Sequence, residues 1–287
     1  MAFGAAAIAA VASMPAFAGN LVTNGGFEDN FGAGQFNQTL PGSAGGQNAN
    51  HPGTTADGWT VNGTNSSFPN GYAFIFNNGH SFTNTDSTFG PTSQYANPGG
   101  PATLPLWAGT HSVPNDSGEG TSFYGVDSTF HPSALTQEIT GLTVGDKYTL
   151  SFDYAAAQQL SYSGNTTDNW VVMLGGQTIA STNIDLLSHE FSGWFTDTVT
   201  FTYGGIGSDP GLLSFVNNGM GGCDSNFLHC AITDPSASGG PPFSLLDGVS
   251  LTGSAPEPST WAMMLLGFAG LAYAGLRNRR RSAFSVA

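Results

Sequence analysis

Two stretches of this chain alternate with a period of two. Tyr148, Leu150, Phe152 and Tyr154 are interleaved with Thr149, Ser151 and Asp153, and Val199, Phe201 and Tyr203 with Thr196, Thr198, Thr200 and Thr202. Successive side chains of a strand point to opposite faces, so each stretch predicts a strand with one apolar face and one hydroxyl-bearing face. Ser122–Val126, Ala134–Ile139, Leu212–Val216 and Ser244–Thr252 read as further strands, with shorter ones at Leu21–Glu28, Trp59–Val61 and Tyr72–Phe76. Trp170–Leu174 and Gln177–Ala180 read as a hairpin, because Gly175-Gly176 supplies the positive φ angles of a tight turn. Residues 30–58 and 77–120 read as long loops; Pro91, Pro98, Pro101, Pro105 and Pro114 interrupt the second. Only 8% of the chain is charged, so its polarity comes from hydroxyls and amides, which suit strands and turns better than long helices. The expectation is all-β: an antiparallel two-sheet jelly-roll sandwich with long loops over residues 19–253. Its first and last strands are expected to pair, bringing Glu28 near Asp247. No 20–50-residue repeat occurs, which argues against a solenoid or propeller.

Both ends read as processing segments. Residues 1–18 are small and apolar and close on Ala16-Phe17-Ala18, a signal-peptide pattern with the mature start at Gly19; it lacks a positive n-region, since no Lys or Arg precedes Lys147. At the other end, Pro256-Glu257-Pro258 is stiff and extended. Residues 259–276 are uncharged and mostly apolar, and as a helix they would cover about 27 Å, enough for a single transmembrane span. Arg277, Arg279, Arg280 and Arg281 follow, which keeps that end cytoplasmic and the β-domain outside, with Trp261 at the outer interface. Residues 254–287 are therefore expected to form a tail separate from the β-domain.

Between the two ends, 18 acidic residues face one base, Lys147, a net charge of −17. Such a surface repels phosphate backbones and anionic lipid, excluding nucleic acid as a partner, and it suits divalent cations. Cys223 and Cys230 predict one disulfide across a loop, because with His229 they offer too few ligands for zinc. Enzyme signatures are missing: there is no G-x-S-x-G, no H-E-x-x-H, no phosphate loop and no dinucleotide fingerprint. Acids such as Asp127, Glu138, Asp153 and Asp197 are available to a glycosidase, but sequence does not pair them. Trp59, Tyr72, Trp107, Tyr124, Trp170 and Trp194 are candidates for stacking on a sugar ring. Tyr95 and Trp107 lie in the Pro-rich loop and are the ligand-binding candidates expected to be exposed.

The tail resembles the PEP-CTERM sorting signal in three ordered parts: Pro256-Glu257-Pro258 with Trp261 three residues on, an apolar helix, and the cluster Arg277, Arg279, Arg280, Arg281. That resemblance implies export through the inner membrane of a Gram-negative bacterium. It also implies recognition and removal of the tail by an exosortase, and a destination at the cell surface or in the exopolysaccharide and biofilm matrix. More weakly, NLVTNGGFE at 20–28, GW at 58–59, LTQEITGLTVGDKYTLSFDY at 135–154 and LLDGVSLTG at 245–253 resemble galactose-binding-like and carbohydrate-binding-module sandwiches. This second resemblance implies a structural calcium (Ca2+) tying the first strand to the last through Glu28 and Asp247. The expected function is that of an exported, surface-sorted, non-catalytic β-sandwich protein that acts in or binds to the extracellular polysaccharide matrix. The alternatives are a secreted polysaccharide hydrolase and a purely structural matrix protein.

Overall fold

The computed structural model describes residues 19–29, 34–35, 56–63, 72–77, 92–94, 103–107, 120–129, 132–159, 162–223, 241–253 and 264–273. Asn20–Thr252 is one compact unit; the helix over 264–273 belongs to a second. The strands in chain order are β1 (Gly34–Gln35), β2 (Thr60–Gly63), β3 (Ala73–Asn77), β4 (Thr92–Gln94), β5 (Thr103–Pro105), β6 (Ser122–Asp127), β7 (Ser133–Glu138) and β8 (Lys147–Gln158). They continue with β9 (Asn165–Asp168), β10 (Trp170–Leu174), β11 (Gln177–Ser181), β12 (Ile184–Leu186), β13 (Phe195–Thr202), β14 (Leu212–Asn217), β15 (Met220–Cys223) and β16 (Pro242–Gly253).

Two antiparallel sheets carry the architecture. One runs β1-β3-β6-β16-β8-β13 and the other β11-β10-β14-β7-β2. From β6 onward the chain changes sheet at β6 to β7, β7 to β8, β8 to β10, β11 to β13, β13 to β14 and β14 to β16. The set β6-β16-β8-β13 against β7-β14-β10-β11 is the winding of a jelly roll, so the strand order itself establishes the expected fold. The Gly-Gly hairpin is present: Leu174 pairs with Gln177, and Gly175 and Gly176 have φ of 60° and 85°.

The main core lies between the sheets. Tyr124, Val126, Leu150, Phe152, Leu246, Val249 and Leu251 meet Val61, Leu135, Trp170, Val172, Leu213 and Phe215. Strand β6 is buried along its whole length, because its alternate residues enter a second apolar cluster on the outer side of the six-stranded sheet. There Phe123 packs with Phe74, Phe76, Phe243 and Leu245, and Leu106 and Phe191 join the cluster through bridges to Gln159 and Ala157. The same double burial explains why β8 continues through Ala155, Ala156 and Ala157, a run with no alternation to read.

The N-terminal segment corrects one expectation. Residues 21–28 are not a strand. Asn20 bridges Thr252, Leu21 N donates to Leu251 O at 2.8 Å and Val249 N donates to Gly25 O at 3.0 Å, so the segment does dock on β16. Asn24 and Phe27 then adopt left-handed φ of 52° and 57° and turn it away. Gly25 lies so close to the Val249 carbonyl that a Cβ would overlap it. The loops also contain pairing that their proline and glycine content hid: β1 within 30–58, and the β4–β5 pair within 77–120.

In the tail, residues 264–273 are helical, a length of about 15 Å. The flanks of the expected 259–276 span lie outside the described residues, and among the described residues no helix is long and apolar enough to cross a membrane. Met264, Leu265, Leu266, Phe268, Leu271 and Tyr273 are 48–71% exposed, so this helix is apolar all round with no packed face.

Candidate functional site

Glu28 is held by the chain entering β6. Thr121 N and Ser122 N both donate to its Oε1 at 2.6 Å, and the Thr121 hydroxyl donates to Oε2 at 3.1 Å. Gly120 touches the same carboxylate so closely that a side chain there would displace it. Asp247 is fully buried on β16, and its Oδ1 accepts from Gly248 N at 2.8 Å, with Gly248 at a φ of 57°. Leu246 pairs with Tyr124, so Asp247 lies at the end of the β6–β16 ladder where Glu28 is anchored. The donors available there are hard oxygens, carboxylate and carbonyl, of the kind that calcium takes. Glu28 can offer each oxygen only beside an existing hydrogen bond. Among the described residues no trio of His, Cys, Asp or Glu side chains converges on a common point, so this oxygen set includes at most two carboxylates.

The aromatic candidates divide by burial. Trp59, Tyr124 and Trp170 are core residues, while Tyr72, Trp107 and Trp194 are half-buried. Trp107 is anchored: its indole N–H donates to Tyr162 O at 3.0 Å and its backbone N–H to Gln158 O at 2.8 Å. Its ring lies 4.2 Å from that of His189. The buried Gln158 fixes this corner from beneath, accepting from His189 N at 3.0 Å and donating to Gly164 O at 3.0 Å. Tyr72 and Trp194 line the rim of the outer aromatic cluster. Tyr95 lies outside the described residues, as do Cys230, Pro256, Glu257, Pro258, Trp261, Arg277, Arg279, Arg280 and Arg281; the backbone of Cys223 closes β15.

Among the acids available to a glycosidase, Glu138 has Asp209 for a neighbour. Partial desolvation, then the charge and hydrogen bond of Asp209, raise the Glu138 carboxyl above its ordinary range. Carboxyls in hydrogen-bond contact are closer than the roughly 5–9.5 Å that glycosidases need between theirs. Asp153 and Asp197 lie on β8 and β13, where Asp153 accepts from the Thr196 hydroxyl.

One polar centre escaped the sequence reading. Asp168, at the end of β9, is 2% exposed. Its Oδ1 accepts from the hydroxyls of Ser128 and Ser244, each at 3.0 Å, and those hydroxyls lie 2.6 Å apart. Asp168 Oδ2, and Thr166 Oγ1 two residues earlier on the same face, are buried without hydrogen-bond partners among the described residues. Burial pushes the Asp168 carboxyl up to about 7; the bonds from Ser244 and Ser128 oppose that rise and the charge of Asp127 adds to it.

The sandwich thus belongs to the jelly-roll class by strand order. Residues 254–281 match the PEP-CTERM protein-sorting motif, so the chain carries a recognised sorting tail. No curated protein matches the chain. Solved structures similar to it include a cyclase from Fischerella sp. TAU, at 14% identity over 82% of this chain and 96% of that one, with a TM-score of 0.42. TmCBM61, solved in complex with beta-1,4-galactotriose, is similar at 13% identity over 82% of this chain and 99% of its own, with a TM-score of 0.32. A CBM4 structure has 13% identity over 81% and 99%, with a TM-score of 0.29. At these scores the likenesses carry no argument for a shared activity.

Proposed function

We propose that this protein is an exosortase substrate: a non-catalytic jelly-roll domain exported through the inner membrane and delivered to the cell surface or extracellular matrix, where it binds polysaccharide. The observation that carries this reading is the sorting motif at 254–281, with its Pro-Glu-Pro, apolar helix and arginine cluster in order. The exposed apolar helix within it supports the reading, since such a helix finds its solvent in a bilayer until the tail is cut. For polysaccharide, the support is the half-buried Trp107, held with its ring plane fixed, in an acidic domain rich in hydroxyl and amide groups.

The test is fractionation of cells with and without their exosortase. The expected result is a membrane-bound chain with its tail when the exosortase is missing, and a shorter, surface or released form when it is present. A chain that keeps its tail in the inner membrane in both strains defeats the sorting reading. Retention on immobilised matrix polysaccharide, lost on Trp107→Ala, is the separate test of the binding step.

The same reading includes a structural calcium held by Glu28 and Asp247, tying the N-terminal segment to β16. Calcium is then expected to raise the thermal midpoint, a chelator to lower it, and Glu28→Gln to abolish the difference. A midpoint indifferent to calcium in the parent chain removes the metal from the proposal.

A further inference from the structure

Strand β13 is the edge of the six-stranded sheet and pairs only with β8 among the described residues. Which of its backbone groups are left open follows from the ladder. Tyr203 N donates to Asp146 O and Gly145 N donates to Tyr203 O, both at 2.9 Å, so Tyr203 turns both groups toward the β8 side. In an antiparallel ladder such residues recur at every second position. Phe195, Asp197, Val199 and Phe201 therefore bond to β8, and Thr196, Thr198, Thr200 and Thr202 direct their N–H and C=O groups away from it. The side chains agree: Thr149 and Thr200 hydroxyls meet at 3.0 Å and Ser151 and Thr198 at 3.1 Å, contacts suited to the closer, non-hydrogen-bonded pairs.

Edges of this length are normally blunted by Lys, Pro, a bulge or an inward-pointing charge. Strand β13 has no Lys or Pro, and its register with β8 runs unbroken from Phe195–Tyr154 to Thr202–Lys147. Its one charge is Asp197. Phe195 at its start is 45% exposed.

We propose that β13 is a self-association edge, at which two copies of the chain pair antiparallel about a two-fold axis through Val199 and join their six-stranded sheets into one. The register follows from the open groups. With the axis at Val199, Thr196 meets Thr202 of the second copy and Thr198 meets its Thr200, so every open donor and acceptor on one strand finds its counterpart. Moving the axis to Thr198 or Thr200 leaves a terminal threonine unmatched, and moving it to Asp197 sets the two carboxylates against each other. At Val199, Asp197 faces Phe201 instead, so the charge selects the register rather than blocking the edge. Self-complementarity of the open groups favours a second copy over a foreign strand, because a single register matches all four threonines of one strand to all four of the other. The contact is isologous and closes as a dimer.

The test uses the full chain in detergent micelles, so that the tail is common to every variant. Across the axis the two Val199 residues form a non-hydrogen-bonded pair with Cα atoms about 4.5 Å apart, inside the range of a disulfide. Val199→Cys is expected to give at least tenfold more disulfide-linked dimer under mild oxidation than Thr149→Cys, which lies one strand away. Thr198→Asp with Thr200→Asp places like charges opposite each other on an exposed face, and is expected to weaken dimerisation at least tenfold while the melting curve stays cooperative. Because the domain is strongly anionic, the parent dimer is expected to tighten as salt rises from low to physiological strength. Equal cross-linking at positions 199 and 149, or a parent chain that sediments as a monomer throughout, overturns the proposal.

Discussion

Replacing Asp168 with Asn is expected to remove the pH dependence contributed by this residue, leaving the variant weaker than the parent near pH 3.5 and stronger above pH 8. The cause is the buried carboxyl, whose value rises from 3.8 to about 7 on folding. Below pH 4 it is protonated in both states. Between pH 4 and 7 the unfolded chain has lost the proton and the folded chain keeps it, so the native state binds more protons and stability falls as pH rises, by about 1.4 kcal/mol per unit for this one group. Above pH 7 both states are ionised and the loss is complete. The oxygen triangle gives the acid limb its structure. Ser128 and Ser244 bring two hydroxyl protons to three contacts, and a proton on Asp168 supplies the third. The amide introduced by Asp168→Asn turns either its oxygen or its NH2 group to the two serines, so it lacks either that proton or the acceptor, a loss of about 1 kcal/mol near pH 3.5. At pH 8.5 it avoids burying a charge beside Asp127 and gains. Urea midpoints at pH 3.5 and 8.5 decide the matter: parallel pH profiles for parent and variant would mean that Asp168 does not titrate in this way.

Asp168 has no signature in the local sequence, because what buries it is remote in the chain. Strand β9 alternates half-buried and buried positions as β8 does, but its buried positions are Thr166 and Asp168, which any hydropathy pattern assigns to a loop. What buries them is Ser128, 40 residues back, and Ser244, 76 residues on. Strands whose inner faces are apolar and outer faces polar, such as β13 and the first part of β8, were legible because one residue type reports one environment. The same rule fails at Ala155–Ala157, where both faces are covered. It fails again at Leu106 and Phe191, isolated apolar residues whose roofing role depends on distant bridges. Glu28 stood out as a ligand by resemblance alone, since its hydrogen-bond partners Thr121 and Ser122 lie 93 and 94 residues away. The sorting tail was legible because its proline-rich, apolar and basic parts are contiguous. Recognition of such a tail is local in sequence, whereas a site on a jelly roll is assembled from strands that are remote in the chain.

Trp170→Ala is expected to cost about 5 kcal/mol, a third or more of the stability of a typical domain, because this side chain fastens one sheet to the other. Trp170 sits on β10 of the five-stranded sheet, is 1% exposed, and donates its indole N–H to Leu245 O on β16 of the six-stranded sheet at 3.0 Å. Its ring meets Phe215 edge-on at 6.1 Å and Tyr124 at 6.2 Å. Truncation to Ala removes the ring, at about 3–5 kcal/mol for the cavity, and leaves a buried carbonyl without its donor, at about 1–3 kcal/mol. Partial collapse of the site keeps the total below the sum of the extremes. Trp170→Phe separates the two effects, since it fills most of the space and removes only the donor, so a loss of about 2 kcal/mol is expected. Guanidinium melts of both variants measure this directly. A folded Trp170→Ala protein within about 1 kcal/mol of the parent would show that the inter-sheet core does not depend on this residue. It would also return Trp170 to the pool of aromatics free to meet a sugar, a role that its burial and its bond to Leu245 now exclude.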